Sequence, residues 1–227
     1  MSKDITNTLI LAGAFLLLFA LAELLYHLFK VKAEYTRKLV HLGTGLLALL
    51  FPLMLGSHWL VLLLCATFAV ILTASLKWKL LPSINAIERQ SVGSLAYPLA
   101  VYTCYLAYDH YGGRFMYYYL PVIILAVCDP AAALTGRKWP WGRYTTGAGS
   151  KTLMGSLVFC ICAALLVISF ALVAGFDGSP ALLLGAALLI GLLSSAVEAF
   201  SKKGWDNLTI PLSVLLGLVL SGNMLGL

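Results

Sequence analysis

"CDPAAALTGRKWPWGRYTTGAGSKTLMGS", residues 128–156, lies between two long apolar runs, 115–135 and 152–174. Its end, GAGSKT, looks like the phosphate loop of a soluble nucleotide-binding domain, which follows G-x-x-x-x-G-K-[ST]. Aligning Lys151 with the lysine of that pattern puts Ser150 at the second glycine and Thr145 at the first, so the motif fails twice. It also needs a preceding strand, and the about 30 residues upstream read as a membrane helix. The stretch is a loop between spans, and the fold that follows from it is helical and membrane-embedded.

The rest of the chain agrees. Of its 227 residues, 61% are hydrophobic and 11% charged, with a mean hydropathy of +0.96, far from a soluble composition. Apolar runs at 6–29, 39–55, 58–76, 92–108, 115–135, 152–174, 181–200 and 208–224 predict an all-α polytopic bundle of about eight spans, with a range of seven to nine. Residues 1–227 read as a single membrane-embedded catalytic domain. The first run is too long for a signal-peptide core and carries Glu23, so it reads as a retained span.

The net charge of +6 does not mark a nucleic-acid partner, because the basic residues sort by membrane side. Alternating eight spans puts all lysines and arginines except Lys3 and Arg114 on one side, which the positive-inside rule makes cytoplasmic, with both termini outside. Every long loop is on that side. Five cysteines, all in apolar runs, do not form a disulfide framework.

Three groups of residues can carry chemistry on the cytoplasmic side. In the opening stretch, Asp129-Pro130 reads as an N-cap followed by proline, which predicts a fifth span broken there. A carboxylate at membrane depth costs about 2.5 to 3.5 kcal/mol on insertion scales, so it has a partner or a function. Beyond it, Gly136, Gly142, Gly147 and Gly149 allow an anion nest ringed by Arg137, Lys138, Arg143 and Lys151, with Lys151 and Thr152 opening the sixth helix. The alternative is a loop made basic only to fix topology.

The second group is SSAVEAFSKKGWDNLTIPL, residues 194–212, with Glu198 one turn from Ser194 and Ser195 and with Asp206 and Asn207 after Lys202 and Lys203. Oxygen ligands without a His or Cys cluster suit Mg²⁺ rather than Zn²⁺; otherwise Glu198 pairs with a lysine and Asp206 is solvated. The third group is RKLVH, where Arg37, Lys38 and His41 can face one site, hold phosphate oxygens or, for His41, accept a proton. Its plainer reading is a snorkelling anchor. Glu88, Arg89, Ser91 and Ser94 are weaker candidates, and Glu23 is either a buried hydrogen-bonding group or near the site.

RKLVHLGTG, SVGSLAYPLAVY, DPAAALTGR, GSKTLMGS and SAVEAFSKKGWDNLTIPL, spread over residues 37–212, together resemble the membrane lipid-alcohol kinases. That group contains phytol and farnesol kinases, dolichol kinase and the CTP-dependent diacylglycerol kinase, and is related to the phosphatidate cytidylyltransferases. The resemblance implies transfer of the γ-phosphoryl group of CTP or ATP to a membrane lipid alcohol such as phytol, farnesol, geranylgeraniol or a polyprenol. The protein is expected in a prokaryotic cytoplasmic membrane, and the sorting of its basic residues puts the site on the cytoplasmic face.

The expected site joins the two lines of reasoning. Asp129, Glu198 and Asp206 hold Mg²⁺, and Asp129, Lys151 and His41 are the catalytic candidates. Arg37, Lys38, Arg137, Arg143, Gly147, Gly149, Ser150, Thr152, Lys202 and Lys203 bind the nucleotide. A cytidylyltransferase is the nearest alternative, but its H-G-G-x-x-D-R-x-D signature is met only by HYGGRF, residues 110–115, without the aspartates. An ion-coupled transporter using Glu23, Asp129 and Glu198 is the alternative from another class, and the chain lacks the inverted repeat it calls for.

Overall fold

The computed structural model describes residues 3–78, 80–85, 92–147 and 149–226. Glu88, Arg89 and Ser91, and the side chain of Ser94, lie outside the described residues. In chain order the elements are α1 (Lys3–His27), α2 (Ala33–Ala48), α3 (Phe51–Met54), α4 (His58–Lys77), α5 (Pro82–Asn85), α6 (Gly93–His110), α7 (Met116–Ile123) and a π-helical stretch (Ile124–Cys128). There follow α8 (Asp129–Lys138), strands β1 (Arg143–Thr146) and β2 (Gly149–Thr152), α9 (Leu153–Val173), α10 (Pro180–Phe200), α11 (Asp206–Leu220) and α12 (Gly222–Leu225).

All eight expected spans are helical, and six are long and apolar enough to cross a membrane. The other two are α6, with 18 residues, and α11, with 15. At about 1.5 Å per residue both fall short of a hydrocarbon core about 30 Å thick. Outward-facing Leu17, Val70, Leu172 and Leu192 are exposed, as side chains that meet lipid rather than protein are expected to be.

The segment Met116–Lys138 is the most buried of the six spans, and its Tyr118, Leu120, Ile124, Leu125 and Cys128 are almost wholly enclosed. Helix α9 packs on α10, α10 on α11, and α11 on α6, so the bundle closes around this segment. Small residues permit the closest crossings. A Cβ at Gly136 on α8 would come 2.5 Å from Thr152 Oγ1, and one at Gly45 on α2 would come 2.6 Å from the Ala126 Cβ. All five cysteines are free.

Several connections gather at one end of the bundle. Val92 N–H donates to the Lys203 carbonyl at 2.8 Å, Thr146 Oγ1 donates to the Ala199 carbonyl at 2.8 Å, and Arg137 pairs with Glu34. These link α2, the start of α6, α8, the β-hairpin and the turn after α10. The polar loops are thus one surface, and it carries the residues singled out in the sequence.

Candidate active site

Asp129 is brought to that surface by an irregularity of another kind than expected. It does not cap a new helix: its φ of −63° and ψ of −50° are helical, and the chain continues from α7 through the π stretch into α8. The expected break is therefore corrected to a π-helical widening just before Asp129. Its cause is visible at Pro130. In an α-helix the Pro130 ring would meet the carbonyl of Ala126, four residues before it, and the wider turn lets the chain pass; in the π register, where residue i pairs with i+5, the Leu125 carbonyl then falls opposite Pro130, which has no N–H.

The orphaned carbonyl finds its donor on another helix. His41 Nε2 on α2 lies 3.4 Å from Leu125 O. A carbonyl only accepts, so this contact puts a proton on Nε2 and leaves the lone pair on Nδ1. Insertion of a side-chain donor lets the span pass Pro130 without breaking.

Around Asp129 the charged groups converge from five segments. The charges of Asp206, Glu198, Lys151 and Arg37 all act on its carboxyl. Lys38 feels Asp129, Glu34, Arg37 and Arg137, while His41 feels Asp206 and Arg37. Glu198 is 6% exposed and forms an ion pair with Lys151. Burial this deep is tolerable for a carboxylate only when it is paired. Two of the sequence groups, 47 residues apart, meet in that contact.

Lys151 reaches Glu198 from a β-hairpin, where the sequence predicted a loop running directly into a helix. Strands β1 and β2 are antiparallel, with Tyr144 opposite Lys151 and Thr146 opposite Gly149. Lys151 is thus a strand residue, and Thr152 is the N-cap of α9, its Oγ1 accepting from Gly155 N–H at 3.1 Å. Gly149 has φ of +118°, a conformation that side chains rarely adopt. The hairpin is fastened by the Thr146 bond to α10 and by a 2.6 Å hydroxyl contact between Tyr144 and Ser156. The Lys202 ammonium rests against Gly147, at the turn between the strands.

Not every expected residue faces the acids. Arg137 is engaged by Glu34, and Thr152 by its capping bond. Arg143, Ser150 and Lys203 are exposed on the same end of the bundle. Glu23 belongs elsewhere: it accepts from Ser83 N–H at 3.0 Å and lies 3.2 Å from His27, tying α1 to α5. Glu34 and Tyr97 were missed. Glu34 had a signal, since it stands three and four residues before Arg37 and Lys38 on one helix. Tyr97, whose ring meets that of His41 edge-on at 5.4 Å, had none.

Among the described residues, no three His, Cys, Asp or Glu side chains close on one point as a preformed metal cage. Mg²⁺ seldom requires one, because it keeps waters and uses one or two carboxylates together with substrate phosphates. Asp129, on whose carboxyl the charges of Glu198 and Asp206 act, offers oxygen ligands of that kind, beside Lys151 and Arg37.

Over 191 residues the chain is 30% identical to a phytol kinase from Synechocystis sp., an alignment covering 84% of this chain and 81% of the relative. No protein-family model matches the chain, and no solved structure does. The chain belongs to the membrane lipid-alcohol kinases.

Proposed function

We propose that this kinase moves the γ-phosphoryl group of CTP or ATP to the hydroxyl of a membrane isoprenoid alcohol. The observation that carries the reading is the meeting of Asp129, Glu198 and Asp206 with Lys151 and Arg37 at one end of an apolar bundle. Phosphoryl transfer asks for positioning and for neutralisation of charge more than for covalent chemistry. A lipid alcohol lying among the helices would present its hydroxyl at that end, with its chain in the membrane.

In this mechanism Lys151, Arg37, Lys38 and Lys202 hold phosphate oxygens, and Gly147, Gly149 and Ser150 lend backbone N–H groups. Asp129, Glu198 and Asp206 would hold Mg²⁺, which when bound neutralises phosphate charge. Lys151 turns from Glu198 toward the phosphates as the carboxylate gains another partner. Asp129 takes the proton of the alcohol while its oxygen bonds to the γ-phosphorus and the bond to the departing nucleoside diphosphate breaks. The place of His41 is to hold, through its Nε2 contact with the Leu125 carbonyl, the π stretch that aims Asp129. Arg137 and Arg143 sit at the rim, Arg137 held by Glu34.

Purified protein incubated with prenols and with CTP or ATP labelled at the γ position tests this. Label in the lipid supports it. Label in pyrophosphate indicates nucleotidyl transfer instead, and an absence of labelled lipid with every alcohol and both nucleotides defeats it.

A further inference from the structure

Between α1, α2, α4 and α6 lies a half-open apolar cleft lined by Phe15, Phe19, Leu64, Phe68, Thr44 and Tyr97 among others. Its cavity volume is about 40 Å³. That is well below the about 150 Å³ cavity that admits a benzene ring, so it suits a branch or two of an apolar chain rather than a chain in full. The proposed mechanism uses none of the four phenylalanine and leucine positions.

Tyr97 distinguishes this cleft from an ordinary packing defect. Its hydroxyl is the one buried side-chain polar atom among the described residues that makes no well-formed hydrogen bond: Thr44 stands beside it but donates to the His41 carbonyl at 3.0 Å. Such a group forfeits a favourable bond unless something supplies an acceptor or donor. It also stands at the junction with the polar cluster. A Cβ at Gly45 would lie 3.3 Å from the Tyr97 hydroxyl and 2.6 Å from Ala126, one turn before Asp129, and the Tyr97 ring borders that of His41. The Tyr97 end of the cleft therefore lies beside His41, with the tight Gly45–Ala126 crossing between it and Asp129.

We infer that this cleft seats the apolar chain of the alcohol acceptor next to its hydroxyl, and that Tyr97 hydrogen-bonds the acceptor oxygen. The inference rests on the alcohol-kinase reading above. An apolar wall with one unsatisfied hydroxyl at the end nearest the acids matches a molecule with one oxygen and a hydrocarbon chain. A nucleotide, with its charged phosphates and polar sugar and base, does not fit such a lining.

Steady-state kinetics on the full chain in detergent, varying a prenol and the nucleotide in turn, test it with Tyr97→Phe and Phe68→Trp. Tyr97→Phe should raise KM for the alcohol about three- to ten-fold, leave KM for the nucleotide unchanged, and leave the melting temperature equal or higher, since a buried unpaired hydroxyl is removed. Phe68→Trp, or Leu72→Trp if the first does not fold, should cut kcat/KM for the alcohol about ten-fold or more by filling the cleft. An alcohol KM unmoved by Tyr97→Phe and by the filling variant overturns the inference while the kinase reading stands. A wild-type protein that phosphorylates no alcohol defeats both.

Discussion

A carboxylate buried beside an ammonium is the residue-level feature on which the site turns. Removing one member of such a pair strands the other, at a cost of about 3 to 5 kcal/mol, whereas replacing both with uncharged groups of similar size is near neutral or stabilising. Lys151→Met should therefore lower the melting temperature markedly, because Glu198 stays buried at 6% exposure without its partner. The double variant Lys151→Met with Glu198→Gln should recover most of that stability in thermal unfolding and remain inactive. Recovery of activity along with stability would show the pair to be structural. At the neighbouring position, His41→Gln retains an N–H for the Leu125 carbonyl and should keep far more activity than His41→Leu, as initial rates at saturating substrate would report.

At the scale of elements, the π stretch and the small-residue crossings set the geometry. In an α-helix the Pro130 ring would clash with the Ala126 carbonyl, so Pro130→Ala removes the reason for the widening. The variant should melt no lower than the wild type and lose at least about ten-fold in kcat, since a shift from π to α geometry turns Asp129 away from its neighbours, and misplacing a group by about 1 Å can cost 100-fold. Gly136→Ala should instead lower stability by about 1 kcal/mol, because the added methyl displaces the Thr152 cap of α9, and the melting temperature measures it. The sequence displayed the spans plainly, as apolar runs of membrane length bounded by Gly, Pro and charge. Hidden from it was everything that depends on a second element. The hairpin strands have four residues each and no alternation to betray them, and the π stretch needs a histidine 84 residues away. Arg137 looked like a phosphate ligand because its partner Glu34 is 103 residues distant. The acids and Lys151, by contrast, were legible because charge within an apolar chain is costly and so conspicuous.

For the molecule as a whole, the concentration of polar contacts at one end of the bundle makes sidedness a consequence of charge. In a background without the five native cysteines, Lys203→Cys should be shielded from a membrane-impermeant thiol reagent in intact cells, and Lys3→Cys should react, as the positive-inside rule requires. The reverse pattern would put the phosphoryl donor on the wrong side of the membrane. The whole bundle also explains why the chemistry is distributed: α2 brings Arg37, Lys38 and His41, α8 Asp129, α10 Glu198 and α11 Asp206, and the hairpin brings Lys151. The central claim is that this assembly transfers a γ-phosphoryl group to a lipid hydroxyl with Asp129 taking the proton, and one measurement reaches it directly. Wild-type protein and Asp129→Asn, each shown to be folded by its melting temperature, are incubated with a prenol and γ-labelled CTP or ATP. The wild type should place label in the lipid and Asp129→Asn should fall by about 100-fold or more; equal labelling of the lipid by the two proteins would contradict the account.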